Sequence, residues 1–365
     1  GDNPRWPEST RSISQLRLSF RVQPTGLLGA MSGPRTVHLD IVDYPGEWLL
    51  DLRLMEKDFS EWSAEVLDRM AGRPGADDYQ AALNGLNPDR FDEPTAQSLA
   101  RTYTTHLHAA REAGWSDCTP GRFLIPGEME GSPALTFAPL PASFAAGRLH
   151  KEFRRRFDAY KSRVVKPFFR EHFARIDRQV VLVDVLGAIH QGPRAVEDMR
   201  RAMADVLTAF RPGRAGWLAQ LLGTRRVESI LFAATKADHI PSNQHGNLRR
   251  LLDGLVAERR NAIRFEGAAV ETMALAALKC TETVMAEHQG RQLSCVRGIP
   301  LGRTEPTVLY PGEIPDDHRL LDRDGIRKLN FLDFRPPTLA GRHGRGLPNI
   351  RLDQALEFLI GDFLS

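Results

Sequence analysis

Residues 228–238 read ESILFAATKAD. The apolar run from Ile230 to Ala234 is unbroken, and the polar cluster Thr235-Lys236-Ala237-Asp238 follows at once. A short apolar run between polar flanks predicts a strand buried on both faces, as in a parallel sheet. A second run, VVLVDVL at 180–186, lies upstream. A third, TMALAALKC in the region 267–279, is placed like the next strand, although a buried helix turn gives the same pattern. Helical stretches near 195–210 and 247–262 separate these runs. Strands alternating with helices predict an α/β fold, a mainly parallel sheet flanked by helices.

Further upstream, RSISQLRLSFRV at 11–22 alternates apolar and polar residues, and a second strand is expected over 37–42. A short link with Gly26, Gly29, Gly33 and Pro34 joins them, which predicts an antiparallel hairpin. Helical periodicity then covers 49–70, and two further helices are expected within 77–113. Residues 114–147 read as an irregular, Gly- and Pro-rich excursion. A long helix is expected over 148–177, kinked at Pro167, with ten Lys or Arg and four Asp or Glu. Residues 50–177 therefore read as a large α-helical insertion in one α/β domain made of 1–49 and 178–365. Short strands near 292–297 and 306–310 and a last helix over 353–364, with Asp353 as N-cap, complete the expectation.

Composition narrows the function. The 365 residues are 42% hydrophobic and 26% charged, which fits a globular chain and argues against disorder. Forty-nine basic and 46 acidic residues give a net charge of +3, too balanced to imply nucleic acid or membrane. No apolar run is long enough to span a bilayer. Cys118, Cys280 and Cys295 are too few and too scattered for a disulfide framework or a CxxC metal pair. The eleven His show no HxxxH or HExxH spacing, so no metal site of protein ligands is expected. A reducing, cytoplasmic setting is the expectation.

In open α/β sheets, ligands bind beyond the carboxyl ends of the strands. Asp43-Tyr44-Pro45-Gly46 follows the strand at 37–42, and Thr235-Lys236-Ala237-Asp238 follows Ile230 to Ala234. Ala276-Ala277-Leu278-Lys279 follows the third run. This ordered trio resembles the later nucleotide-binding elements of a GTPase-type P-loop NTPase. The resemblance implies that Asp43 holds Mg2+, usually through water, and that Gly46 presents its N–H to a terminal phosphate. It implies that Thr235, Lys236 and Asp238 form the [NT]KxD element. There the Asp carboxylate accepts two hydrogen bonds from guanine, a pair that adenine cannot supply. Ala277 and Leu278 would offer backbone N–H groups to the guanine carbonyl. Glu47 stands where several GTPases carry the Gln that orients attacking water, and is otherwise a surface charge. Thr10 stands where a switch loop offers a hydroxyl to Mg2+. Asp184 reads as a cap for the turn after its strand. The basic stretch 148–177 reads as a solvated helix on a core.

The longer strings DYPGEWLLDL, RFLIPGEMEGSPALTFAPLP, KSRVVKPFFREHFARIDRQVVLVDVLGA and IRLDQALEFLIGD resemble the YcjX family of stress-associated GTPase-like proteins. The resemblance covers essentially the whole chain. It implies a P-loop NTPase fold with a helical insertion and GTP or GDP as ligand. The family's GxxxxGK[ST] loop is absent from these 365 residues, and the glycine cluster GLLGAMSGPRT has no Lys. The expectation is a chain that starts after the P-loop and binds nucleotide weakly by itself. The function expected of the intact protein is a guanine-nucleotide switch with Mg2+-dependent GTP hydrolysis, and the family resemblance implies a stress role. A protein partner would dock on the helical insertion, and peripheral membrane contact is compatible with its basic helix. The alternative is a nucleotide-independent interaction scaffold.

Overall fold

The computed structural model describes residues 4–7, 9–23, 33–172, 175–209, 227–265, 268–317, 329–338 and 346–364. At its centre lie three parallel strands, β3 (Arg178–Val183), β4 (Ser229–Ala234) and β5 (Ala269–Ala274), in the order β3-β4-β5. Val183 pairs with Ala234, which pairs with Ala274. Every residue of β4 is buried. The period-2 alternation of a strand sends its side chains to two cores. Ile230, Phe232 and Ala234 join the main core, with Leu207 of α8 (Pro193–Ala209) and Leu248 and Leu252 of α9 (His245–Phe265). Leu231 and Ala233 face Ala355 and Leu359 of α10 (Leu352–Leu364). Helices thus flank the sheet on both faces, as the apolar runs predict.

Several expectations need correction. The hairpin β1 (Ser14–Val22) and β2 (Arg35–Asp43) forms as expected, but as a separate two-stranded sheet. The parallel sheet flanked by helices is present, but among the described residues it holds three strands and the hairpin stands apart from it. A third sheet, antiparallel, holds β6 (Glu282–His288), β7 (Arg291–Gly298) and β8 (Thr307–Leu309). β7 and β8 match the expected short strands. β6 went unread because ETVMAEH has too few apolar residues to alternate clearly. The run 180–186 stops as a strand at Val183, because the Asp184 side chain accepts from Gly187 N–H and starts α7 (Val185–Gln191). The third run is a strand only to Ala274. Asp353 is not the cap of α10: Leu352 N–H donates to Asn349 Oδ1, and Asp353 lies in the first turn. The Gly26 and Gly29 link and the end of the 195–210 helix at 210 lie outside the described residues.

Residues 46–171 contain helices and turns and no strand. The helix expected from 49 to 70 is two elements, a 3₁₀ helix Gly46–Glu56 and α1 (Phe59–Met70). Asp58 separates them, accepting from Glu61 N–H while the Glu61 carboxylate takes Asp58 N–H, a capping box. Then come α2 (Ala76–Leu83), α3 (Glu93–Glu112), α4 (Gly121–Leu124) and α5 (Arg148–Tyr160). The long helix expected over 148–177 is α5, one π turn at Lys161–Val165, and α6 (Lys166–Glu171). The wide π turn lies just ahead of Pro167, which has no N–H to donate back into the helix. Phe59, Trp62, Tyr103, Phe137, Phe157 and Tyr160 are almost wholly buried, with Trp62 stacked on Phe157 at 5.2 Å. Their edge-to-face contacts exceed simple area burial by about 1 kcal/mol each.

This helical stretch and the parallel sheet share one continuous core, and polar contacts fasten them further. Asp198 on α8 binds Arg73 at 2.6 Å and accepts from the N–H groups of Ser116 and Asp117. Both side chains are buried, so removing one partner leaves an uncompensated charge. Asp198→Ala is expected to cost about 3–5 kcal/mol in urea unfolding; a cost below about 1 kcal/mol would contradict this role.

Asp51, in the 3₁₀ helix, is the second fastening. Its Oδ1 accepts from Gly121 N–H at 2.8 Å and its Oδ2 from Tyr160 O–H at 2.5 Å. Full burial raises its pKa to about 6, although Tyr160 and Gly121 pull the other way. The folded pKa lies above the unfolded value of about 3.9, so folding takes up a proton between the two. Stability from this group is present below about pH 4 and is lost as pH rises through about 6. Denaturant titrations should show the wild type losing stability relative to Asp51→Asn between those limits; a pH-independent difference would contradict the shift.

Candidate functional site

The ends of the three parallel strands are stitched by backbone hydrogen bonds. Thr235 N–H donates to Val183 O, Leu275 N–H to Ala234 O, and Ala237 N–H to Leu275 O. The TKAD turn is therefore fixed on both sides. Within it Lys236 adopts a left-handed conformation, φ +58°, which costs a residue with a Cβ roughly 1–2 kcal/mol. Its ammonium lies 3.0 Å from Asp184 Oδ2 and 3.1 Å from Asp333 Oδ1. Burial alone would lower the Lys236 pKa, but these two carboxylates outweigh it and hold the pKa above the ordinary value.

Asp238 is buried, at 4% exposure. Its Oδ2 accepts from Cys280 N–H at 2.7 Å, and its carbonyl accepts from Thr281 Oγ1. The carboxylate thus joins the TKAD turn to the loop after β5. In that loop Ala276 N–H donates to Ile350 O and Lys279 N–H to Pro348 O. The N–H groups of Ala277 and Leu278, between them, have no acceptor among the described residues. Each carboxylate oxygen has two lone pairs, so the Cys280 bond orients Asp238 without exhausting it. Burial first, and Asp238 second, push the Cys280 thiol up to about 12, so it stays a neutral thiol.

At the end of β2, the exposed Asp43 accepts at Oδ2 from Thr10 Oγ1, 2.8 Å away. Tyr44 turns inward, its ring edge-on to Phe168 and its hydroxyl accepting from Gln179 Nε2. Burial raises its pKa. Gly46 begins the 3₁₀ helix, so its N–H has no intrahelical acceptor. A Cβ on Gly46 would meet nothing within 4 Å, so the chain's own packing does not demand glycine there. Glu47 Oε1 lies 2.5 Å from Arg111 Nη2 of α3. Trp48 is buried, donates Nε1–H to Ile125 O, and carries the Arg122 guanidinium 3.2 Å above its ring.

Several of these groups line a cavity of 1910 Å³ between the hairpin and β3. Thr10, Asp43, Gly46, Glu47, Arg111 and Lys236 all line it. Thr235, Asp238, Ala277 and Leu278 do not; they form the adjoining joint behind Lys236. The apolar hairpin face, Leu16, Phe20 and Ile41, looks onto the same space at 36–55% exposure. From β3 come Val180 and Leu182, 40% and 64% exposed. The edges of β2 and β3 that border the cavity have no strand partner among the described residues.

Oxygen donors of the Asp43–Thr10 kind suit Mg2+, which takes one or two protein oxygens and completes its shell with phosphate and water. No group of three or more His, Cys, Asp or Glu among the described residues could hold a metal ion by itself. Among the described residues, no helix is long and apolar enough to cross a membrane.

Sequence patterns missed three participants. Asp184 is the cap expected, but it also pairs with Lys236; its strand-end position was the available signal. Arg111 and Asp333 carry no local signal, since each meets its partner through distant parts of the chain. The chain is 37% identical over 381 residues to the "Ras-like GTPase YcjX" of Escherichia coli (strain K12), covering 100% of itself and 81% of that protein. It is 38% identical over 382 residues to the protein of the same name from Shewanella oneidensis (strain MR-1), covering 99% and 78%. Residues 1–364 match the YcjX-like family, DUF463, and the chain belongs to that family.

Proposed function

We propose that this chain supplies the base-reading and switch elements of a guanine-nucleotide-binding GTPase. The observation that carries the reading is the joint at Asp238. A buried carboxylate is aimed by Cys280 N–H, beside two N–H groups, of Ala277 and Leu278, that nothing in the described chain accepts. Guanine offers the matching pattern: two donors for a carboxylate and one carbonyl for those N–H groups. The Lys236 stem, held by Asp184 and Asp333, would cover the ring. Thr235 would border the base.

Across the cavity from this joint, Gly46 N–H would meet the terminal phosphate, where the absence of a Cβ permits close approach. Asp43 and Thr10 would hold Mg2+, which neutralises phosphate charge when bound. Glu47 would orient the attacking water. Residues 1–49 and 178–365 would form the nucleotide domain, with 50–177 as a helical insertion that passes the state of the DYPG loop to a protein partner. The phosphate loop would come from a strand and helix outside these 365 residues. Two strand edges without a partner among the described residues and an exposed apolar hairpin face border the cavity, and the relatives are longer than the matched region.

The test is calorimetry on the natural full-length protein. GTP and GDP should bind at least about tenfold, ~1.4 kcal/mol, more tightly than ATP and ADP. Asp238→Asn should shift preference from guanine toward xanthine nucleotides. Equal binding of GTP and ATP, or no binding, would overturn the reading.

A further inference from the structure

The Glu47–Arg111 ion pair has no part in the guanine-nucleotide reading, and it brings a cation of the helical stretch to the cavity at the residue after Gly46. Arg111 sits in the last turn of α3, whose start is capped by Asp92 and whose middle is pinned by Tyr103 and by His106 Nδ1 on Pro74 O. Its base is therefore rigid. Glu47 is equally fixed at the backbone: a Cβ on Gly121 would lie 2.2 Å from Glu47 O, so Gly121 packs directly on the Glu47–Trp48 peptide. The two side chains are 40% and 21% exposed and both line the cavity. An exposed ion pair of this kind contributes little to stability, about 0–1 kcal/mol, so folding alone gives weak reason for it.

We infer that Arg111 is a catalytic residue that the helical stretch lends to the transferring phosphoryl group. The inference rests on the guanine-nucleotide reading above. In the structure described here the guanidinium is held by Glu47 and keeps that carboxylate neutralised. A terminal phosphate seated on Gly46 N–H brings a denser negative charge into the same space. The guanidinium fork matches phosphate oxygens in two parallel hydrogen bonds, so Arg111 exchanges Glu47 for the phosphate. Glu47 is thereby freed to accept from the attacking water. The water oxygen bonds to the γ-phosphorus as the bond from that phosphorus to the β–γ bridging oxygen breaks. GDP leaves with that oxygen, and both water protons end on the inorganic phosphate. Arg111 stabilises the charge that builds on the transferring group and the leaving oxygen, an effect worth roughly 10³–10⁵ in rate where an arginine acts this way.

Single-turnover GTP hydrolysis, GDP affinity and GDP affinity with aluminium fluoride are measured on the full-length protein and on Arg111→Ala and Arg111→Lys. Arg111→Ala should lower hydrolysis at least about 100-fold while GDP affinity changes less than about threefold. Aluminium fluoride should tighten GDP binding to the unmodified protein and not to Arg111→Ala. Arg111→Lys, which keeps the charge but loses the fork, should hydrolyse at an intermediate rate and melt with the unmodified protein. A merely structural arginine would move GDP affinity and melting temperature together with the rate. A native rate or an intact aluminium fluoride response in Arg111→Ala overturns this inference alone. So does an unmodified protein that binds GDP but does not hydrolyse GTP. Failure of the unmodified protein to bind guanine nucleotide overturns the underlying reading as well.

Discussion

The geometry of the site depends on the hydrogen bonds that stitch the ends of β3, β4 and β5. Thr235 N–H to Val183 O, Leu275 N–H to Ala234 O, and Ala237 N–H to Leu275 O leave the TKAD turn no freedom to drift. From that fixed frame Lys236 is forced into a left-handed conformation and held there by Asp184 and Asp333. Asp238 is turned into the joint with Cys280. A residue with a Cβ at positive φ persists only where its surroundings over-determine it, and such residues gather at functional sites. The buried β4 is what makes the frame stiff, since every one of its side chains packs into one core or the other.

The second constraint is that the DYPG loop runs directly into a segment that the helical stretch grips. Trp48, Asp51 and the Glu47–Trp48 peptide are each gripped by residues 121–125 or by Tyr160. Asp43 and Gly46, just ahead, are exposed and lightly held. The boundary between the loose and the gripped parts falls at Glu47, the residue that Arg111 holds. Gly46 is thus followed directly in the chain by residues that α3 and α4 contact, with no intervening linker. Loops that carry function are commonly positioned by such a rigid scaffold.

Much of this frame was legible in the sequence because it rests on strong local signals. The unbroken apolar run of β4 could be read as a doubly buried strand, and the alternation of β1 and β2 as a hairpin. Asp184 was legible as a cap because it ends an apolar run and a helix follows. The separation of the hairpin from the parallel sheet was not legible, because strand pairing depends on neighbours far away in sequence. Strand β6 escaped because its side chains are mostly polar and exposed. Arg111 and Asp333 were invisible for another reason: an ion pair between distant residues leaves no periodic trace. The third apolar run outlasts its strand, because Leu275 packs with Ala355 and Leu359 of α10 and Ala276 forms an isolated bridge to Ile350.

The claim at the centre of this account is that the joint of Asp238, Ala277 and Leu278 reads guanine. A crystal structure of the full-length protein with GDP tests it most directly. The account predicts the guanine ring edge on the Asp238 carboxylate, its carbonyl facing the N–H groups of Ala277 and Leu278, and the Lys236 stem across its face. A base bound elsewhere, with Asp238 still closed on Cys280 alone, would contradict it.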